Sequence, residues 1–400
     1  MNVDIVIVGA GPAGLCLARA LSGQGLNIAL VERQPSVQLA EPAFDGREIA
    51  LTHASHKELQ RLGLWQRIDP ADIAPLRDAQ VLNGPSLFAL RIQAAQVGQQ
   101  LLGHLVANQA IRRAAFEAVA ECDDVQLLDD CQLDDLRIDD HGVHLRLRDG
   151  RELQARLLVA ADSRFSETRR RLGIGARSKD FGKTMLVCRM RHERDHRQTA
   201  WEWFGYGQTL ALLPLNERCS SAVLTLPQQQ IDALLALDED AFAREMERRF
   251  DHRLGAMQLL GSRHSYPLIG VYAERFAGPR CALVGDAAVG MHPVTAHGFN
   301  FGLLSQRRLA DAVLRADNLG QDIGAAAHLQ RYARAQHLAS WPLYQATNLL
   351  VGLYTDDRAP SRLLRNASLR LAQGATPLRR AIARHLTAAP SRADRERPIS

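Results

Sequence analysis

Residues 3–33, VDIVIVGAGPAGLCLARALSGQGLNIALVER, constrain this chain more than any other stretch. A short apolar run from Ile5 to Val8 reads as a buried parallel strand. Gly9, Gly11 and Gly14 follow at the spacing G-x-G-x-x-G, and Ala13, Leu17, Ala18 and Leu21 recur at helical spacing. A second apolar run, Ile28 to Val31, ends in Glu32. Gly9 permits the tight turn out of the strand, Gly11 lets a pyrophosphate approach the backbone, and Gly14 lets the helix pack closely. The helix start offers N–H groups and a positive dipole end to phosphates. Glu32 stands where an acid binds ribose hydroxyls. Another α/β protein with a glycine-rich turn would share the glycines alone. Here strand, glycines, helix, second strand and terminal acid agree on a dinucleotide site. An acid at position 32 disfavours a 2′-phosphate, so FAD or NAD fits better than NADP.

The rest of the composition sets limits. With 46% hydrophobic and 23% charged residues over 400 positions, the chain reads as a soluble protein long enough for two domains. No apolar run reaches the roughly 18 residues of a membrane span, and no basic leader precedes the first strand. The cysteines at 16, 122, 131, 188, 219 and 281 include no C-x-x-C pair, which disfavours a zinc site or redox disulfide, and no metal is expected. A reduced, cytoplasmic setting is the expectation. The net charge of +5 belongs to the tail: residues 358–400 hold ten Arg against Asp394 and Glu396, leaving 39 basic and 42 acidic residues elsewhere. No nucleic-acid partner is expected.

Along the chain, Leu51 to Leu62 reads as a helix after Arg47, whose guanidinium suits a second clamp on cofactor phosphates. Ala79 to Leu82 and Leu87 to Ile92 flank Asn83-Gly84 as a hairpin, a first excursion into a second domain. Ile111 to Val119 reads as a helix. Val125 to Leu128, Cys131 to Ile138, Val143 to Leu147 and Leu157 to Ala161 read as strands. Arg164 to Leu172 reads as a helix stopped by Gly173. A second excursion begins near Lys183, with strand character at Met185 to Met190, Trp201 to Phe204, Leu210 to Leu213 and Ala222 to Leu226. A helix is expected over Ala241 to Phe250. Cys281 to Val284, the last buried strand, delivers Gly285-Asp286, and a helix opens at Gly298-Phe299-Asn300. Helical spacing returns from Leu338 to Tyr354, and two shorter helices are expected over 360–374 and 377–386. The expected division is 1–75, 96–182 and 263–340 for cofactor, 76–95 and 183–262 for substrate, and 341–400 as a helical region with a basic tail.

A strand-end Asp such as Asp286 can accept hydrogen bonds from a cofactor's sugar-alcohol chain. The helix start at Gly298 can hold the negative charge of a reduced flavin's pyrimidine edge. GAGPAG with Glu32-Arg33, Arg47-Glu48-Ile49-Ala50-Leu51, LLVAADS and GDAAVGMHPVTAHGFNFGL together resemble the FAD-dependent aromatic hydroxylases, the class A flavin monooxygenases. Within them the chain is similar to the ubiquinone-biosynthesis branch, the UbiH, UbiF, UbiI and UbiM group. The last block in that family usually reads H-P-x-x-G-Q-G-L-N-x-G-L-x-D. Here Ala296, His297, Phe299 and Ser305 replace Gly, Gln, Leu and Asp, and Ser163 replaces the Gly of an Asp-Gly pair. These departures are expected beside the flavin face, and His for Gln points to the UbiM type.

The resemblance implies an α/β fold: a Rossmann-like FAD-binding domain of the p-hydroxybenzoate hydroxylase kind, an inserted antiparallel β-sheet substrate domain and C-terminal helices. It implies that NAD(P)H, a transient visitor, reduces FAD, that O2 adds to it as a C4a-hydroperoxide, and that hydroxyl passes to the ring of a polyprenylated phenol. The single dinucleotide fingerprint agrees with one bound cofactor. Two other readings stay open: a flavin-dependent isoprenoid reductase, and a non-catalytic FAD-bound subunit of a quinone-biosynthesis complex.

The candidate cofactor residues are Gly9, Gly11, Gly14, Glu32, Arg33, Arg47, Gln109, Asp162, Gly285, Asp286, Pro293, Gly298, Phe299 and Asn300. Asp162 serves either the cofactors or a strand-end turn. Asn108 and Gln109 either touch the flavin side chain or cap a helix. Trp201, Trp203, Leu213 and Pro214 are the candidate substrate residues; for the tryptophans the alternative is a buried sheet face. His297 is the candidate catalytic residue, since histidine can relay protons near neutral pH, or else it is structural. Leu378, Ile382 and Leu386 with Arg379, Arg380 and Arg384 outline a basic amphipathic helix. That helix either docks on the inner face of the membrane, packs on the cofactor domain, or contacts other enzymes of the pathway.

Overall fold

The computed structural model describes residues 1–84, 89–205, 207–292 and 298–355. The apolar runs Ile5–Val8, Ile28–Val31 and Leu157–Ala160 are wholly buried because the sheet they form shares its core with helices and with the antiparallel sheet of Leu133–Ile138, Val143–Leu147 and Glu152–Ala155. Six strands lie in the order Ala277–Gly278, Cys281–Leu283, Leu157–Ala160, Ile5–Val8, Ile28–Val31, Val125–Leu128. All are parallel except the short edge strand Ala277–Gly278. Helices Pro12–Leu21, Asn108–Ala120 and Gly298–Asn318 share this core.

The helix expected from Leu51 begins later, at His53, and ends at Arg61. Thr52 caps it by accepting the Ser55 N–H, and Glu48–Leu51 is instead a strand paired with Gly103–Ala107. The helix expected over Arg164 to Leu172 shortens to Glu167–Arg171, because the Ser166 hydroxyl accepts the Arg169 N–H and fixes the start there.

The second sheet has eight strands, in the order Val289–Gly290, Met257–Ala273, Ala176–His192, Cys219–Leu226, Thr209–Pro214, Thr199–Phe204, Asp78–Asn83, Ala89–Gln93. Two of them are 17 residues long and pair antiparallel from Ala176↔Ala273 to His192↔Met257. Both strands continue past positions 183 and 263, where the ladder shifts register, between Asp180 and Thr184 and between Val187 and Arg189. Met257–Ala273 shows no clean apolar run, since its middle is Gly261-Ser262-Arg263-His264-Ser265. It is a strand because it pairs with Ala176–His192. Helices Gln228–Leu235 and Glu239–Arg249 cover one face of this sheet. The other face turns toward the loop before Glu48: Phe44 packs edge-on against His264, and Arg189 pairs with Glu48 at 2.7 Å.

The helix Ala326–Thr355 is longer than the sequence pattern indicates and contains Pro342. Among the described residues no helix is long and apolar enough to cross a membrane. The helices expected after residue 360 lie outside the described residues.

Candidate active site

The glycine turn has the geometry its sequence requires. Gly9 has φ +108°, and a Cβ there would lie 2.6 Å from the Ala161 carbonyl oxygen. A Cβ at Gly14 would run into the Gly9 carbonyl oxygen, so the helix sits directly on the turn. Gly11 differs: nothing lies within 4 Å of its Cβ position. The helix that follows has no side-chain cap and starts with Pro12. Its first N–H groups therefore lack intrahelical acceptors and face open space. A helix start of this kind can hold a pyrophosphate.

Glu32 reaches this turn. Its carboxylate accepts N–H groups from Ala10 at 2.7 Å and Gln34 at 2.9 Å, and retains lone pairs for ribose hydroxyls. Arg33 is exposed beside it.

A second helix start is brought to the same place through Gly285. This residue has φ +59°, and its Cβ would lie 2.7 Å from the Ala13 Cβ. A Cβ at Gly302 would be 3.5 Å from the Gly285 Cα. The Gly285–Ala287 turn is thus clasped between the helices starting at Pro12 and Gly298. Among the described residues nothing lies within 4 Å of the Gly298 Cβ position. Phe299 packs on the core. The Asn300 side chain donates to the Ala50 carbonyl at 2.8 Å and accepts the Thr52 N–H at 3.1 Å. It therefore anchors the strand Glu48–Leu51. Ser305, a departure from the family pattern, is turned inward. It is buried two turns along, accepting the Gly285 N–H and donating to the Gly302 carbonyl.

Asp286 pairs with Arg164 at 3.0 Å and remains partly exposed. Both Asp162 oxygens are committed within its own turn, to the Ser166 hydroxyl and to the Thr168 N–H and hydroxyl. That matches the strand-end alternative. Neither Asn108 nor Gln109 caps a helix. Asn108 donates to Asp45 at 2.7 Å and Gln109 to the Pro42 carbonyl at 2.6 Å, fastening the 42–47 loop. In that loop Arg47 pairs with Asp45 at 2.6 Å, and its guanidinium lies 5.6 Å from the Tyr266 ring centre. Burial opposes the Arg47 charge, but Asp45, Tyr266 and Asp286 together hold it above its ordinary value. Pro293 and His297 lie outside the described residues.

Strand alternation decides the substrate candidates. Trp201 and Trp203 pair with Leu212 and Leu210 and pack with them beneath the two covering helices. They stand on the face away from the cofactor side, so they do not form a wall of the site. Pro214 follows the Leu212 side of its strand. Leu213 points the other way and packs with Ala50, Ala74 and Leu105. The face toward the cofactor side carries Met185, Val187, Val223, Tyr266 and Leu268.

The residues the sequence did not single out include Asp45, Arg164 and Tyr266. Arg164 had a signal, since it follows the strand end at Asp162. The Tyr266 hydroxyl donates to the Asp45 carbonyl across 221 residues of chain, and nothing local marks it.

Residues 2–346 match the family defined by an FAD binding domain. The ubiquinone hydroxylase UbiM of Neisseria meningitidis is 46% identical over 97% of this chain and 85% of its own length. The chain belongs to the FAD-dependent ubiquinone hydroxylases. UbiL of Rhodospirillum rubrum, another ubiquinone hydroxylase, is 36% identical over 96% of this chain and 89% of its own. The fold of the family is also that of p-nitrophenol 4-monooxygenase PnpA from Pseudomonas putida, with a TM-score of 0.77 at 18% identity over 96% of this chain and 98% of that one. As a member of this family the chain is an FAD-dependent monooxygenase. The open space at Gly11 and the uncapped helix start at Pro12, packed against the Gly285 turn, fit that cofactor.

Proposed function

We propose that this hydroxylase adds oxygen to the aromatic ring of a polyprenylated phenol in ubiquinone biosynthesis, with NAD(P)H as transient reductant and O2 as oxygen source. The observation that carries the proposal is the apolar sheet face of Met185, Val187, Val223, Tyr266 and Leu268 turned toward the cofactor cradle. Tyr266 itself joins that face to the Asp45–Arg47 loop. When bound, FAD supplies the electron transfer and oxygen activation.

The chain's own residues bind, orient and exclude water. Gly9, Gly11, Gly14 and the Pro12 helix start would take the pyrophosphate, Glu32 the ribose, and Arg33 and Arg47 the phosphate charge. Asp286 would take the sugar-alcohol chain, held in place by Arg164. The backbone at Gly298, Phe299 and Asn300 would face the flavin ring. His297 is proposed as a proton relay from sequence alone. His297→Gln, the family's usual residue, should then preserve coupling of NAD(P)H oxidation to hydroxylation better than His297→Ala, with FAD retained in both.

The test is incubation of the FAD-loaded protein with NAD(P)H, O2 and a short-chain prenylated phenol. Substrate-stimulated NAD(P)H oxidation and a product with one added oxygen atom are expected. Oxidation with no oxygenated product would sink the proposal; reduction of a prenyl double bond would favour the reductase.

A polyprenylated substrate resides in a bilayer, so we further propose peripheral docking on the inner membrane face through the Arg-rich residues after 358. The intact protein should sediment with anionic liposomes at low salt and a version ending at Gly374 should not. Equal binding of the two would remove the tail as the anchor.

A further inference from the structure

Glu202 lies between the two tryptophans in Thr199–Phe204, and therefore on the opposite face of the sheet from them. Its cross-strand partners are Ala211 on one side and Val81 on the other. The row continues from Ala211 to Val223, then Val187, then His264. Glu202 is thus a carboxyl in a row that is otherwise apolar until His264, four strands away at roughly 4.8 Å per strand. Its neighbours two positions along the strand are Ala200 and Phe204. It is half-buried, and among the described residues its carboxyl makes no hydrogen bond or ion pair.

The other acids near this face are all engaged. Glu48 pairs with Arg189 and Asp45 with Arg47. Of the other titratable groups on the face, His264 bonds the Ser262 hydroxyl and Tyr266 the Asp45 carbonyl. His104, on a strand packed beside this face, meets His56 and Trp65 edge-on. None of these charges acts on Glu202. Burial alone pushes its carboxyl up to about 8. A carboxyl left partnerless in apolar surroundings costs stability and marks a functional site more often than a structural one.

We infer that Glu202 receives the hydrogen bond of the substrate's ring hydroxyl and takes its proton. The inference rests on the phenol hydroxylase reading above. The phenolic O–H bond breaks, the proton moves to a Glu202 Oε, and the electron pair stays on the phenolate oxygen, where it enriches the ring for oxygen transfer. After transfer the hydrogen on the oxygenated ring carbon leaves as a proton to solvent, its electron pair restoring the aromatic ring, and the Glu202 acid returns its proton to the oxygen it came from. A free phenol ionises near ~10, within reach of a base that titrates two units lower. A carboxyl in this place also selects rings that carry a free hydroxyl over their methyl ethers, because the ether leaves the carboxyl unpaired.

The experiment uses the FAD-loaded protein, a short-chain prenylated phenol and its methyl ether. The wild type should bind the phenol at least about tenfold tighter than the ether. Glu202→Leu should bring the two close to parity with FAD content unchanged. Glu202→Gln should keep the preference, lower the hydroxylation rate by at least about tenfold, and lose the limb of the pH–rate profile near 8. An unchanged preference in Glu202→Leu together with an unchanged rate and profile in Glu202→Gln overturns the inference and leaves the hydroxylase reading standing. A wild type that hydroxylates no phenol overturns both. Should Glu202→Leu fail to hold FAD, the Glu202→Gln profile alone decides.

Discussion

The Glu32 carboxylate accepts the backbone N–H of Ala10 at 2.7 Å, so the acid that ends the second strand also holds the glycine turn that ends the first. One oxygen fixes the turn and the other fixes the Gln34 N–H, which leaves the carboxylate rigid before any ribose arrives. Glu32→Ala removes a charge-assisted acceptor worth about 1.5–3 kcal/mol. FAD affinity for the apoprotein should therefore fall by roughly ten- to a hundredfold. Titration of apoprotein with FAD measures this, and an unchanged Kd would remove Glu32 from the site.

Gly9 and Gly11 should fail in different ways. Gly9→Ala places a Cβ 2.6 Å from the Ala161 oxygen at φ +108°, so the apoprotein itself should lose about 2 kcal/mol or more. Gly11→Ala meets nothing within 4 Å, so the apoprotein should unfold as the wild type does while FAD binding weakens. Denaturant curves on apoprotein, paired with FAD titrations, separate the two. A destabilised Gly11→Ala apoprotein would contradict the open cradle.

Ser163 stands where the family has glycine, and its φ of +118° belongs to a region that favours glycine. The structure holds it there because Asp162 and Ser166 fix the turn on either side. Its hydroxyl returns only a 3.3 Å contact with the Phe165 N–H. Ser163→Gly should stabilise the protein by about 1 kcal/mol. A lower denaturation midpoint in this variant would show that the hydroxyl contributes more than the strain costs.

Acid should destabilise the fold through His104. Burial, with His56 and His53 nearby, pushes this ring down to about 4, and its Nδ1 is buried without a partner among the described residues. The unfolded chain takes up the proton near 6.5 and the folded protein does not. Stability should be fully present above pH 6.5 and decline as pH falls toward 4, with about one proton taken up on unfolding per such ring. His104→Gln should flatten that part of the stability–pH curve. A curve with the same slope in wild type and variant would assign the acid sensitivity to other groups.

The glycine turn, the parallel strands and the cofactor class were legible because they are local. The Val3–Arg33 stretch carries its own strand, turn, helix and acid, and each requirement is met by a residue only a few positions from the next. The short excursions at 79–92 and 185–226 also showed their strand character for that reason. Gln109, Asn300 and Ser305 stand out in the sequence, but their contacts are not legible there. Their partners, Pro42, Ala50 and Gly285, are supplied by other elements.

The sequence by itself determined that alternate residues of Thr199–Phe204 share a face, since the period of a strand is two. It did not determine which face meets the cofactor, because both faces carry apolar residues. Tertiary structure decided that by laying the helices Gln228–Leu235 and Glu239–Arg249 over the tryptophans. Burying two large aromatic rings there removes more apolar surface from water than burying Glu202, Ala200 and Phe204 would, and it spares the carboxylate a fully enclosed site. The same packing turned Glu202 toward the cofactor side, where a residue between two tryptophans gives no local sign of its chemistry.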